Sequence, residues 1–300
     1  MNYIIGMDSG GTKTEAVVYD LAGNELQRVM TGFGNMLVDK EQGLANIKSA
    51  VRCVLDNRNP NECQQLVLGL AGIDSGGLKE VLLDELSEFQ VPVFLLNDAQ
   101  LAHYALLKGD EGVLVIAGTG SVCLGMKQGT WYRVGGWGHL FGDEGSGYYI
   151  GKLVIQQALA EYDSGLPISL LTEKLFTYFN IDTVMEMVRE AYQLSKDQVA
   201  ALAKLVAETA PDDPIAAAIL TKAGKSLAEE VKKLVNKMQL DNQTVRVGLN
   251  GSVIEHNEYV RQAFFSTLEH SLYSFQYIEK KESSAKGAYY HYQKNGEIKR

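Results

Sequence analysis

The sequence predicts an α/β protein built of two lobes, and three observations support this prediction. The chain has 300 residues, of which 46% are hydrophobic, and this length exceeds what one hydrophobic core usually holds. Short apolar runs typical of strands alternate with longer helical patterns. A hairpin pattern with a glycine turn occurs near residue 8 and again near residue 118. We therefore expect two related halves with a cleft between them.

The first hairpin pattern starts close to residue 1, where strand-like runs at 3–7 and 15–19 flank a turn. The turn consists of Asp8, Ser9, Gly10, Gly11, Thr12, Lys13 and Thr14. Its backbone N–H groups and hydroxyls can hold phosphate oxygens. No helix pattern follows the turn, which argues against a Walker A loop. Asp8 ends the first strand, where a carboxylate beside phosphates can hold hydrated Mg²⁺. The alternative is an ordinary hairpin with Asp8 as a capping residue.

The next elements follow in order. They are a strand at 25–31, a helix at 40–57, a strand at 65–70 and a helix at 78–88. Asn35 precedes the first of these helices, and it could either hydrogen-bond a polar ligand or cap that helix. Gly72 belongs to the turn 71–77 after the second strand, and this turn is a further candidate for substrate contact.

An apolar strand is then predicted at 91–96 and a helix at 99–107. Asn97 and Asp98 stand between them. Ligands of α/β sheets bind at the carboxyl ends of the strands, so Asp98 is our candidate catalytic residue. A carboxylate there can act as a general base if it lies within hydrogen-bond reach of the reacting hydroxyl.

The pattern then begins again. A strand at 112–117 and a returning strand at 122–126 flank the turn 118–121, which has the sequence Gly-Thr-Gly-Ser. Further along, 245–251 repeats 66–72 with Gly-Leu-x-Gly in register. Each match alone is weak, but their order agrees, which indicates internal duplication.

Residues 152–238 are predicted to be helical. Asp213 followed by Pro214 marks the start of the last helix, because proline suits the first helical position. Four apolar positions have the spacing of an ordinary helix core, namely Val199, Leu202, Leu205 and Val206.

The stretch from Gly135 to Gly147 is the most unusual part of the chain. It holds six glycines in thirteen positions, together with Trp137, Asp143 and Glu144. Glycine lets backbone N–H groups approach a ligand closely, and an indole face beside carboxylates suits a sugar ring. A solvated loop without a ligand is one alternative, and a Trp137 packed in the core is another.

Composition excludes several classes of protein. A formal charge of −9 argues against nucleic-acid binding. Cys53, Cys63 and Cys123 lack CxxC spacing, so neither a disulfide framework nor a zinc site is predicted. No apolar run approaches the roughly 20 residues that span a membrane, and no leader pattern is seen at residue 1. We therefore expect a cytoplasmic protein.

Together these motifs resemble the actin/hexokinase superfamily. They are most similar to its branch of N-acetylglucosamine kinases, glucosamine kinases and BadF/BadG/BcrA/BcrD-type ATPases. The resemblance covers nearly the whole chain and is carried by 8–14, 97–99, 118–121, 136–146 and 249–252. It implies a duplicated actin-like ATPase fold (ribonuclease H-like) with two lobes and an interlobe cleft. The N-terminal lobe would be 1–110 with a C-terminal helix at about 283–300, and the C-terminal lobe would be 111–282.

The resemblance also implies an ATP-dependent kinase that transfers the γ-phosphoryl group to a hydroxyl of an amino sugar. Asp98 would be the general base and Asp8 would hold Mg²⁺. The residues that would bind ATP are Gly10, Gly11, Thr12, Lys13, Thr14, Gly118, Thr119, Gly120, Ser121, Gly251 and Ser252. The residues that would contact the sugar are Asn35, Gly72, Asp98, Trp137, Gly138 and Asp143. Ser9 and the Asn250-Gly251-Ser252 run depart from the glycines more usual in the family.

Some alternatives stay open at this point. The acceptor could be N-acetylglucosamine, N-acetylmuramic acid or glucosamine. An ATPase that activates a partner reductase would need a cysteine-held iron–sulfur cluster, which three spaced cysteines could supply only across a dimer. A non-enzymatic actin-like scaffold is the third option, and the sugar-type loop argues against it. We expect a homodimer with a small-molecule amino sugar as substrate and neither nucleic acid nor membrane as partner.

Overall fold

The computed structural model describes residues 1–73 and 77–296. Its internal contacts divide the chain into two compact units. Unit 1 comprises Met1–Glu111 and the chain from Ile278 onward, and unit 2 is Gly112–Tyr277. The sequence placed the two boundaries nearby, after residues 110 and 282. Within the described ranges, no helix is long and apolar enough to cross a membrane.

The secondary structure of the described residues is as follows. The strands are β1 (Tyr3–Ser9), β2 (Thr14–Asp20), β3 (Glu25–Thr31), β4 (Cys63–Leu70), β5 (Val93–Asn97), β6 (Gly112–Ala117), β7 (Ser121–Lys127), β8 (Thr130–Gly135), β9 (Thr244–Asn250) and β10 (Ser274–Ile278). The helices are α1 (Lys40–Leu55), α2 (Leu78–Leu86), α3 (Asp98–Leu107), α4 (Gly147–Asp163), α5 (Leu170–Phe179), α6 (Val184–Ala191), α7 (Lys196–Thr209), α8 (Pro214–Lys237), α9 (Ser252–His256), α10 (Glu258–Ser271) and α11 (Gly287–Asn295). Short 3-10 helices cover Pro60–Glu62, Ser87–Phe89 and Ser284–Lys286.

Unit 1 is built on a sheet with the strand order β3-β2-β1-β4-β5. The strands β1, β2 and β3 are antiparallel neighbours, whereas β4 runs parallel to both β1 and β5. The predicted hairpin is confirmed, with Ser9 paired to Thr14 at its turn. The predicted C-terminal helix corresponds to the last 3-10 helix and α11. Its residues 297–300, and residues 74–76 of the predicted turn 71–77, lie outside the described residues.

The side chains of β1 alternate between two packed faces of the sheet. Ile5 and Met7 are fully buried in a core that includes Ile47 and Val51 of α1. On the other face, Gly6 lies against the 3-10 turn before α11. A Cβ on Gly6 would lie 2.0 Å from the backbone oxygen of Ala285. The C-terminal segment is therefore a structural part of unit 1, and it packs on β1 so closely that only glycine fits.

Unit 2 has a second five-stranded sheet, in the order β10-β9-β6-β7-β8. The helix α8 packs against β6, β7 and β8. Asp213 caps this helix as predicted, since its Oδ1 accepts a hydrogen bond from the Ile215 N–H at 2.7 Å. The predicted helical region is confirmed and consists of α4 to α8, beginning at Gly147 instead of 152.

The two sheets share one topology, which confirms the predicted duplication. If the five strands of unit 2 are numbered 1 to 5 in chain order, its sheet has the order 5-4-1-2-3. This is the order of unit 1, 3-2-1-4-5, read from the opposite edge. In both units, two hairpin-connected antiparallel pairs precede a parallel neighbour of the first strand. The repeated segments 66–72 and 245–251 include most of β4 and β9, which occupy equivalent places.

The close contact at Gly6 leads to a stability prediction. Gly6→Ala should lower the free energy of unfolding by about 1–3 kcal/mol, as overpacking of a filled site does. Chemical denaturation of the whole chain measures this difference. Gly11→Ala is the matched control, because a Cβ there would meet no atom within 4 Å. Equal stability of the two variants would contradict the tight packing of β1 on the C-terminal segment.

Candidate active site

The predicted phosphate turn of unit 1 connects β1 to β2. The Gly10 N–H donates to the Lys13 carbonyl at 3.0 Å, which closes the turn. Gly11, Thr12 and Lys13 are exposed, and a Cβ on Gly11 would meet no atom within 4 Å. The turn therefore presents open backbone, a hydroxyl and an ammonium group, which suits the phosphate role predicted for these residues.

Thr14 is placed differently from the rest of this turn. Its side chain is fully buried, and its hydroxyl lies 3.0 Å from the Ser9 Oγ. Gly34 packs over both hydroxyls, and its N–H donates to the Gly10 carbonyl at 3.0 Å. The two hydroxyls therefore join the ends of the hairpin beneath Gly34, while the Gly34 N–H joins the turn to the loop 31–36. The phosphate role predicted for Thr14 stays a prediction, and Ser9, the departure from the family pattern, gains a structural role as the partner of the Thr14 hydroxyl.

Asp8 and Asp98 form the acidic centre of unit 1. Burial, together with the charges of Asp98 and Glu15, raises the pKa of Asp8 to about 6, and a hydrogen bond from the Ser284 side chain and the charge of Lys280 oppose the increase. A cation beside Asp8 would relieve this repulsion, and carboxylate oxygens are ligands that Mg²⁺ prefers. The residues therefore fit the predicted metal.

The protein itself offers few side chains that could bind a metal ion. Among the described residues, no group of three or more His, Cys, Asp or Glu side chains is arranged to hold a metal ion. Because Mg²⁺ commonly keeps waters and binds through one or two carboxylates with substrate phosphates, one protein carboxylate at Asp8 is compatible with such a site.

Asp98 is the first residue of α3 and follows directly after β5, as predicted. Asn97 caps the helix, and its side chain and that of Gln100 form a reciprocal capping box. The Asp98 Oδ1 accepts a hydrogen bond from the Ala99 N–H at 3.0 Å. The capping box thus fixes the backbone that carries Asp98, whose exposed side chain is accessible to a substrate.

Asn35 and Gly72 lie beside the same residue of unit 1. The Asn35 Oδ1 accepts a hydrogen bond from the Leu37 N–H at 3.0 Å. A Cβ on Gly72 would lie 2.3 Å from the Leu37 Cδ1, and Gly72 has a φ of +76°. The alternative in which Asn35 caps α1 is wrong, because the Asp39 side chain caps that helix.

The predicted phosphate turn of unit 2 connects β6 to β7. The Gly118 N–H donates to the Gly120 carbonyl at 2.9 Å. The Gly118 carbonyl accepts from the Gly147 N–H at 2.7 Å, and the Thr119 carbonyl accepts from the Tyr148 N–H at 3.1 Å. The turn is therefore joined to the first residues of α4, where the glycine-rich loop ends.

Ser121 differs from its neighbours in this turn. Its side chain is buried, and its hydroxyl donates to the Glu144 carbonyl at 2.8 Å. The hydroxyl therefore ties the turn to the glycine-rich loop, and the phosphate role predicted for Ser121 stays a prediction. Thr119 is exposed and stays the candidate hydroxyl of this turn.

Trp137 is not a core residue, so the packing alternative for this side chain is wrong. It is 65% exposed. The Arg133 guanidinium lies over the indole at 4.0 Å from the ring centroid, a cation–π contact that supports one face. Gly138 follows with a φ of +82°, and a Cβ there would meet no atom within 4 Å. This part of the loop has the open space that a ligand requires.

Asp143 lies elsewhere in the same loop and is 3% exposed. Its Oδ2 forms an ion pair with the Lys196 Nζ at 2.8 Å. The same oxygen would lie 2.8 Å from a Cβ on Gly120, and the Ser121 N–H points to Oδ1 at 3.4 Å. The structure therefore places the Asp143 carboxylate inside the protein beside the predicted phosphate turn, and its contact with the sugar stays a prediction.

Glu230 of α8 lies beneath the start of the glycine-rich loop. A Cβ on Gly135 would lie 2.6 Å from its Oε2, and this oxygen has no hydrogen-bond partner within the described part of the chain. Burial, together with the charges of Glu144 and Asp143, raises the pKa of Glu230 to about 7, and the charge of Lys233 opposes the increase. The folded protein thus keeps this carboxyl protonated well above its ordinary range.

A cavity of about 680 Å³ opens beside the phosphate turn of unit 2. Gly118 and Thr119 form one part of its wall, and Ser252 at the start of α9 forms another. Gly251 precedes Ser252 and has a φ of +105°. A Cβ there would lie 2.5 Å from the Ala117 carbonyl oxygen, so this position favours glycine. Of the residues predicted for ATP, the cavity therefore brings together Gly118, Thr119 and Ser252.

Sequence reasoning missed the third wall of this cavity, which is α7. The buried face of the helix holds Val199, Leu202 and Val206, as predicted. The cavity face holds Asp197, Ala200, Ala201, Ala203, Lys204 and Ala207. The signal was the row of alanines opposite the core stripe, because small side chains leave room for a flat ligand. His256 and Asn257 also line the cavity and were not predicted.

The raised pKa of Glu230 predicts a pH-dependent stability. Between about pH 4.5 and 7 the unfolded chain releases this proton while the folded chain retains it, so stability falls as pH rises across this window. Glu230→Gln should remove that loss, which is at most on the order of 3 kcal/mol. The measurement is the difference in unfolding free energy between wild type and variant from pH 4.5 to 8.

Glu229→Gln provides the control, since Glu229 lies on the same helix with an exposed side chain paired to Lys232. The difference in unfolding free energy between Glu229→Gln and wild type should not change with pH in the way expected for Glu230→Gln. A Glu230→Gln difference that stays constant across the window would contradict a buried, protonated carboxyl.

Comparison with known proteins identifies the family of this chain. The chain matches the model of the BadF/BadG/BcrA/BcrD ATPase family over residues 5–288. It is 28% identical to the N-acetylmuramic acid/N-acetylglucosamine kinase of Clostridium acetobutylicum, over 96% of this chain and 97% of that protein. It is 30% identical to the N-acetyl-D-glucosamine kinase of Dictyostelium discoideum, over 80% and 81%.

A solved structure shows the same fold. It is that of a candidate N-acetylglucosamine kinase from Chromobacterium violaceum, with a TM-score of 0.73 at 24% identity, covering 96% of this chain and 98% of that one. The predicted α/β actin-like ATPase fold with two lobes is therefore confirmed. The family match spans most of the sequence, and the chain belongs to the BadF/BadG/BcrA/BcrD ATPase family.

Proposed function

We propose that the protein is an ATP-dependent kinase that phosphorylates a hydroxyl of an amino sugar. N-acetylglucosamine and N-acetylmuramic acid are the leading substrates, because the two curated relatives are named for them. Glucosamine is the further candidate from the sequence. In this proposal unit 2 binds ATP in the cavity beside Gly118 and unit 1 supplies Asp98 as the general base.

One observation carries the proposal. The glycine-rich loop with the exposed Trp137 ends at Gly147, whose N–H donates to the Gly118 carbonyl at 2.7 Å. Gly147 and Gly118 both line the cavity. A loop suited to a sugar and a turn suited to phosphate are thus continuous parts of one structure, which an ATPase without a sugar substrate would not need.

The chemistry requires positioning and charge neutralisation more than covalent catalysis. The sugar hydroxyl oxygen forms a bond to the γ-phosphorus while the bond from that phosphorus to the β–γ bridging oxygen breaks. Asp98 accepts the hydroxyl proton, and the products are the sugar phosphate and ADP. Thr12, Lys13 and Thr119 are the exposed groups that we assign to the phosphates.

We assign Asp8 to Mg²⁺. When bound, the ion supplies positive charge to the phosphates. The chain itself contributes the Asp8 carboxylate, whose pKa is raised by burial and by the nearby charge of Asp98. The homodimer and the cytoplasmic location stay predictions.

The cysteines favour the kinase over the reductase-activating ATPase. Burial raises the pKa of the Cys63 thiol to about 12 and raises that of Cys123 well above its ordinary value. Thiolates are the ligands of iron–sulfur clusters, so these two thiols are poor candidates, and Cys53 is the exposed one. ATP turnover that depends on added amino sugar, in a panel of sugars with Mg²⁺, distinguishes the two functions.

The assignment of Asp98 predicts that Asp98→Asn keeps the fold and loses transfer. A general base contributes about 10²–10⁴-fold to kcat, and a loss of this size should appear in a coupled ADP-release assay with saturating sugar. Asp84→Asn, an exposed aspartate on α2, is the control and should keep wild-type kcat. A folded Asp98→Asn enzyme with most of its kcat would reduce Asp98 to a substrate contact.

The exposed indole predicts a fluorescence signal. A reacting amino sugar should change the tryptophan emission of the wild type, because a sugar against the Trp137 ring changes the polarity around it. Trp137→Phe should lose most of this change, with stability within about 0.5 kcal/mol because the side chain is exposed. Trp131→Phe removes the other tryptophan and should keep the response. A response that survives in Trp137→Phe and vanishes in Trp131→Phe would place the sugar elsewhere.

A further inference from the structure

Lys196 is the residue that joins the glycine-rich loop to the cavity helix. It is the first residue of α7, and its Nζ lies 2.8 Å from the Asp143 Oδ2. The Asp143 side chain is almost completely buried, and that of Lys196 is about one-third exposed. Neither the motifs in the sequence nor the proposed chemistry gives this lysine a role.

The partner of this lysine occupies a sensitive position. The Asp143 carboxylate touches Gly120 and faces the Ser121 N–H, so it lies directly against the turn that we assign to phosphate. Asp143 also has a φ of +62°, a backbone conformation in which a non-glycine residue is uncommon. A buried negative charge at this place would repel a polyphosphate unless a cation compensated it.

The surroundings add more negative charge. Glu144 follows in the loop, and Glu230 of α8 lies close enough for both acids to raise its pKa. Asp197, next to Lys196, lines the cavity. The ammonium group of Lys196 therefore neutralises one of several carboxylates close to the turn that we assign to phosphate.

The position of Lys196 in its helix supports a role outside that helix. Ser195 caps α7, and its side chain and that of Gln198 form a reciprocal capping box. A cation in the first turn of a helix is unfavourable, because the helix dipole is positive at that end. Local helix stability therefore does not explain a lysine here, whereas the ion pair with Asp143 does.

We propose that Lys196 is a positioning residue for ATP, acting through Asp143. The ion pair neutralises the carboxylate beside the Gly118–Ser121 turn and holds α7, the alanine-lined wall of the cavity, against that turn. The role of Lys196 rests on the proposed function, because it requires that the cavity binds ATP.

The test compares four proteins: Lys196→Met, Lys196→Arg, Asp143→Asn and the double variant of Lys196→Met with Asp143→Asn. The primary measurement is the Kd of ATP by calorimetry without sugar. Lys196→Met should weaken ATP binding by about tenfold or more, as an uncompensated buried charge does. Lys196→Arg should stay within about threefold of wild type, because the guanidinium keeps the charge.

The double variant gives the decisive result. If the ion pair acts by neutralising Asp143, removal of the carboxylate should restore most of the ATP affinity that Lys196→Met loses. In turnover assays, Lys196→Met should raise the KM for ATP more than the KM for the sugar. Lys152→Met, an exposed lysine on α4, is the matched control and should leave both values unchanged.

Two outcomes would overturn the proposal. A double variant as weak as Lys196→Met alone would mean that the lysine contacts the phosphates directly. Wild-type ATP affinity in Lys196→Met together with a lower unfolding temperature would mean that the pair only stabilises the fold. Absence of ATP binding in the wild type would instead refute the proposed function, so the two failures are distinguishable.

Discussion

The hydrogen bond from the Gly147 N–H to the Gly118 carbonyl is the contact on which the rest of the site depends. A Cβ on Gly147 would lie 3.1 Å from both the Gly118 and the Ala200 carbonyl oxygens. Glycine at this position therefore lets three segments meet: the phosphate turn, the end of the glycine-rich loop and the cavity helix α7. This close approach joins the loop that carries Trp137 to the cavity that we propose for ATP.

Duplication gives the two units the same sheet but different ways to hold the equivalent turn. In unit 1 the hydroxyls of Ser9 and Thr14 pack under Gly34 and fix the turn without charge. In unit 2 the carboxylate of Asp143 does so, at the cost of a buried charge that Lys196 compensates. The protein has a net charge of −9 and a proposed substrate that is a polyanion, so each acidic centre needs a cation: a lysine in unit 2 and, as we propose, a metal ion in unit 1.

Most of the fold could be predicted because its elements are defined locally. Buried strands are short apolar runs, and turns between them carry the glycines that the backbone requires. The strands β8 and β10 were not predicted. Both lie at the edges of their sheet, where the side chains are only partly buried and no continuous apolar run marks them. β10 also has no strand next to it in the chain, because two helices separate it from β9.

The sequence by itself determined the duplicated topology, the position of Asp98 at a strand end and the open glycine turns, because each follows from residues adjacent in the chain. Only the tertiary structure decided which polar groups face a ligand. It buried the Thr14 and Ser121 hydroxyls and turned Asp143 inward to meet a lysine more than fifty positions away. The physical reason is that burial and charge pairing are properties of packed neighbours, which a linear pattern of residue types does not specify.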